Sequence, residues 1–302
     1  MLWLGISRSY LYRLIRRALI CGVIRVENPF TNRMFARSVQ PDVVSLFSST
    51  GSDPLGLFSV QVDGSLPSDS FIHLLNDSTS LPAPSPPTTL ITAPSVYRDQ
   101  RTDASQGHQL NQTVLHIQSP TLRKTFIQCP TSVPSHASSG GGVLGLKHTW
   151  LHIQVRNLGR DWSFEVGVVD KQGRQGTVRC STFQKAPKLV RNHGASPVLH
   201  LPLAFPPSSS SPLTAWSTIA LNLAKFVPQF ASLAHAQPSS ELADAHHPAE
   251  RGGPSNQVPL PSGTYSHLAF IKIYATCRLR RIWLSESAPI TRTPWEFELY
   301  GD

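Results

Sequence analysis

Residues 149–183 read TWLHIQVRNLGRDWSFEVGVVDKQGRQGTVRCSTF, and their period of two decides the fold. Leu151, Ile153 and Val155 alternate with His152, Gln154 and Arg156, and Trp162, Phe164, Val166 and Val168 recur at the same spacing. Alternation of this kind marks strands with one buried face. The turn signals Asn157-Leu158-Gly159-Arg160 and DKQGRQG separate the runs, so the stretch predicts an antiparallel meander.

Working outward, STIALNLAKF (217–226), HLAFIKIYATC (267–277), RIWLSE (281–286) and WEFELY (295–300) supply further short strands. In the last, Trp295, Phe297 and Leu299 alternate with Glu296 and Glu298. Helical spacing is confined to one or two turns around 222–232, limited by Pro228. The expected architecture is all-β: a single antiparallel β-sandwich, jelly-roll-like, from residue 34 to 302. Its apolar core positions include Trp162, Phe164, Trp283, Trp295 and Phe297. Stretches rich in proline, serine and glycine at about 66–110, 206–212 and 233–263 are too polar to bury themselves and are read as inserted loops.

Charge is distributed unevenly. Of the net +9, residues 1–33 contribute +5 through six arginines against Glu27, and the remaining 269 residues carry only +4. Binding of the whole chain to nucleic acid is therefore disfavoured. The first 26 residues are apolar but interrupted by arginines, so neither a secretory signal nor a membrane span is expected, and the segment is read as a targeting or surface helix, or an extension outside the fold. The four cysteines are far apart without a CxxC pair, which points to a reducing compartment and no structural zinc.

The sequence offers no catalytic set. Gly140 and Gly145 mimic a phosphate loop, but Leu146 stands where its lysine belongs and Lys147 follows one residue late. His235, His246 and His247 lie in low-complexity sequence away from ligand spacing, so no metal is expected. No nucleophile elbow or carboxylate pair is present, and neither enzymatic activity nor a cofactor is expected.

The basic residues of CRLRRIWLSE (277–286) remain. A regular strand puts Arg278 and Arg280 on one face and Leu279, Arg281 and Trp283 on the other. Arg278, Arg280 and Arg281 are then either a solvated strand face or a contact for an acidic partner, with Arg278 and Arg280 turned outward.

Several motifs, in order, resemble the cilia- and flagella-associated protein 20 family: TFIQCP, LGLKHTWLHIQVRNLGRDWSFEVGVVDKQG, VRCSTFQ, TAWSTIALNLAKF, YSHLAFIKIYATC, and CRLRRIWLSE followed by PWEFELY. MFARSVQPDVVSLFSSTGSDPLGLF resembles the family's opening, with Met34 at its start. The resemblance implies a non-enzymatic β-sandwich that binds tubulin in the doublet microtubules of cilia and flagella. It stabilises them at the inner junction beside proteins such as parkin co-regulated protein. Axoneme and basal body are the implied locations, with centriolar or nuclear use of the same domain as an alternative. The long loop 66–110 departs from the family's compact segment. A second class of function is a carbohydrate- or ligand-binding jelly roll using Trp150, Trp162 and Trp216.

Overall fold

Strand formation follows the alternation, and the turns decide which sheet each strand joins. The computed structural model describes residues 34–35, 39–83, 112–131, 143–191, 194–205, 215–236, 258–288 and 297, all within the unit spanning Asn32–Asp302. Among them are thirteen strands: β1 (Val43–Ser48), β2 (Ser59–Gln61), β3 (Phe71–Asn76), β4 (Thr113–Gln118), β5 (Phe126–Cys129), β6 (Trp150–Asn157) and β7 (Ser163–Asp170). The series continues with β8 (Gln175–Ser181), β9 (Lys188–Val190), β10 (Val198–Pro202), β11 (Trp216–Asn222), β12 (Tyr265–Tyr274) and β13 (Cys277–Ser285).

The strands form two sheets. The first has the order β11-β6-β13-β4-β3, with β1 also on β13, and the second has the order β2-β5-β12-β7-β8-β10-β9. All described pairings are antiparallel except β8 with β10. Leu151, Ile153 and Val155 of β6 and Leu279, Ile282 and Leu284 of β13 meet Phe164, Val166 and Val168 of β7 and Ile271 and Ile273 of β12 in one buried cluster. The fold is the expected all-β sandwich.

Three expectations need correction. First, 149–183 is not a meander within one sheet. The turn after Asn157 carries the chain from β6 in the first sheet to β7 in the second, and only β7 and β8 pair as a hairpin. Apolar faces of both strands are thereby set against each other across the core. The β12-to-β13 link makes the same crossing in reverse, and Trp162 joins the two crossings by donating Nε1–H to the Tyr274 carbonyl at 3.0 Å.

Second, Phe71–Asn76, inside the stretch read as a loop, is strand β3 on the edge of the first sheet. Third, a helix, α1 (Val227–Ala236), runs for ten residues despite Pro228. That proline sits in the first turn, where a missing N–H costs no intrahelical bond. The low-complexity stretches 84–111, 206–214 and 237–257, with His246 and His247, lie outside the described residues, as do residues 1–33 and Trp295.

Helix α1 packs onto the same core beside β9 and β7. Val227 and Phe230 are fully buried, and Phe230 reaches the core only because Gly176 of β8 has no side chain. A Cβ there would lie 2.5 Å from Phe230 Cζ and 2.8 Å from Pro261 Cγ. Gly176→Ala is therefore expected to lower the unfolding free energy by about 1–3 kcal/mol through overpacking. Adding Phe230→Leu should recover part of that loss, and urea titration of the two variants checks the coupling.

Candidate functional site

Strand β13 decides the fate of the arginines. Its first residues, Cys277–Leu279, pair with β4, and from Arg281 onward its partner on the same edge is β1. At the switch the Arg280 carbonyl accepts from the Ser49 N–H at 2.9 Å, and against β6 the register slips by one residue between Leu279 and Arg281. A bulge of this kind reverses the alternation beyond it. Leu279 and Ile282, three apart, therefore both face the core, and Arg281 and Trp283 fall on the face of Arg278, opposite Leu279.

That face is not solvent. Arg278 is 8% exposed and Arg280 2%, which corrects the expectation that they turn outward. The cause lies in the Asn76-Asp77-Ser78 turn after β3. Asn76 Oδ1 accepts from the backbone N–H groups of Ser78 and Thr79 at 3.0 and 3.1 Å, a local turn typical of asparagine. The turn folds Asp77 over the sheet, where its carboxylate is fully buried. Asp77 Oδ1 accepts from Arg278 Nη1 at 2.7 Å and Arg156 Nη1 at 3.1 Å, and Oδ2 accepts from Trp216 Nε1–H at 2.9 Å. Arg278 also donates to the Asp77 carbonyl at 2.8 Å and to Ser80 Oγ at 2.6 Å.

Arg280, the bulge residue, donates to Gln112 Oε1 at 2.8 Å and Gln154 Oε1 at 2.6 Å. Burial, with Arg281 beside it, pulls its pKa down to about 10, so it stays charged at neutral pH. Gln154 in turn donates to the Phe297 carbonyl. Arg281 is half-buried, its guanidinium carbon 5.0 Å from the centre of the Phe297 ring. The same ring lies 5.1 Å from Trp283, which stacks on His152 at 4.7 Å. Burial holds the His152 pKa near 4, so this histidine is neutral at physiological pH.

The second sheet offers a different outer face. Cross-strand register places Lys272 of β12, Glu165 of β7, Arg179 of β8, His200 of β10 and Lys188 of β9 in one row. Their strand neighbours Ile271, Ile273, Phe164, Val166, Val178, Leu199 and Leu189 fill the core, so the row lies on the side away from it. Arg179 donates Nε–H to Glu165 Oε1 at 2.6 Å, and Lys272 Nζ sits 3.6 Å above the Phe126 ring and 5.0 Å from that of Tyr274. Burial lowers the Lys272 pKa. The His200 pKa is lowered by burial and by Arg179, Lys188 and Arg123. Sequence reading missed this row because its members are scattered over five strands, and only the pairing brings them together.

Among the described residues no group of three or more His, Cys, Asp or Glu is placed to hold a metal ion. The thiols of Cys129, Cys180 and Cys277 are buried, unpaired and pushed up to about 12, which leaves them protonated. Trp162 and Phe164 are fully buried core residues, and Trp216 is 4% exposed.

Two comparisons bear on this geometry. The CFA20 domain family model matches residues 101–237, a span that contains β4 through β11 and α1. No curated protein matches the chain. The match covers 137 of the 302 residues and supports a CFA20-type domain over that span, in keeping with the order of motifs in the sequence.

Removing one partner of a buried ion pair strands the other charge. Arg278→Ala is therefore expected to cost about 3–5 kcal/mol of unfolding free energy. The exposed Arg123→Ala should stay within about 0.5 kcal/mol of the parent in the same urea titration.

Proposed function

We propose that this CFA20-domain chain is a non-enzymatic structural component of the ciliary axoneme that binds doublet microtubules and stabilises them at the inner junction. The family match carries the reading, and the physical character of the fold supports it. A staple between two partners needs surfaces held at fixed separation, and two sheets interlocked through one close-packed core meet that need. Tubulin surfaces are acidic overall, and cations on a flat strand face make charge-assisted contacts to carboxylates. The reading puts the contact on the outer face of the second sheet, since Arg278 and Arg280 of β13 are spent inside the first.

The carbohydrate-binding alternative loses two of its three tryptophans, and the third, Trp150, is only partly exposed at the start of β6. Trp162 and Trp216 are buried, and a buried ring offers no platform for a sugar.

Pelleting of the full chain with purified doublet microtubules tests the reading. The chain is expected to sediment with doublets and to be released as salt rises, because exposed charge pairs are screened. A folded chain that stays in the supernatant at low salt contradicts it.

A further inference from the structure

The row on the outer face of the second sheet has a spacing as well as a charge. Adjacent strands lie ~4.8 Å apart, so Lys272, Arg179 and Lys188, on alternate strands, recur every ~10 Å. An extended polypeptide rises ~3.3 Å per residue and covers the same distance in three residues. Arg123 adds a fourth cation within electrostatic reach of His200, against one carboxylate in the row among the described residues, that of Glu165.

Glu165 is engaged by Arg179, whereas Lys188, Lys272 and Arg123 have no carboxylate within ion-pairing distance among the described residues. Like charges gathered on one face repel one another, and an incoming carboxylate relieves that repulsion. The cation lying over the Phe126 and Tyr274 rings is already partly desolvated, which reduces what it loses on pairing.

We infer that this face takes a glutamate-rich, extended segment of a partner chain, lying across β12, β7, β8, β10 and β9 with carboxylates on Lys272, Lys188 and Arg123. Placing that partner in the doublet wall rests on the function proposed above. The segment's acidic chemistry rests on the row alone. A nucleic acid fits the face less well. Single-stranded nucleic acid needs open aromatic rings for its bases, and here the Phe126 ring is covered by the lysine.

The test is fluorescence anisotropy of the full chain with a labelled ten-residue oligoglutamate, beside a Gly/Ser peptide and a single-stranded oligonucleotide. The variant is Lys188→Glu with Arg123→Glu, both at exposed positions and so compatible with folding. The expected result is salt-sensitive binding of oligoglutamate by the parent, weakened at least ~10-fold in the variant at matched circular dichroism, with no binding of the Gly/Ser peptide. No binding by the parent, equal binding by a folded variant, or tighter binding of the oligonucleotide overturns the inference. Parallel pelleting with doublets separates the two claims. Oligoglutamate binding without pelleting leaves the face's chemistry intact and sinks the axonemal placement. Pelleting without oligoglutamate binding does the reverse.

Discussion

A single carboxylate organises one side of this protein. Asp77 is fully buried, and its two oxygens accept from Arg156 on β6, Arg278 on β13 and the indole of Trp216 on β11. Isolated, such a charge would cost several kcal/mol in the interior, so the arrangement is stable only as a complete set. The set joins three adjacent strands to the turn after β3 and thereby covers the outer surface of the first sheet around Arg278. Arg280 extends the polar layer through Gln112 and Gln154, and Gln154 binds the backbone at Phe297.

The two sheets consequently present unlike exteriors. One spends its arginines internally, and hydrogen bonds to neutral or buried partners make them unavailable to anything outside. The other keeps lysines at its surface in a row that only strand pairing creates. Between them the core is continuous, and β7 is buried along its whole length because β12 and β8 flank it and Phe270 packs over Gly167.

The strands were legible in the sequence because each obeys a period of two, and Trp162 and Phe164 could be placed in the core on that ground alone. The sheet each strand joins was not legible, since a four-residue turn can close a hairpin or cross a sandwich, and Asn157–Arg160 does the latter. The arginines misled for a related reason. A bulge at Arg280 breaks the alternation on which facing was argued, and the acid that buries Arg278 lies some two hundred residues away on a stretch whose prolines read as loop. Low-complexity composition around residues 63–110 concealed β3, whose Phe71–Asn76 run is only six residues long.

The central claim is that the β13 arginines are internal ties. Chemical modification of the folded chain with phenylglyoxal, followed by peptide mass spectrometry over time, measures it directly. Arg278 and Arg280 are expected to react at least ~10-fold more slowly than the exposed Arg123 and Arg191, and to become equally reactive only when the chain unfolds. Rapid modification of Arg278 and Arg280 in the native chain, at the rate of Arg123, would contradict the account and return those arginines to the surface.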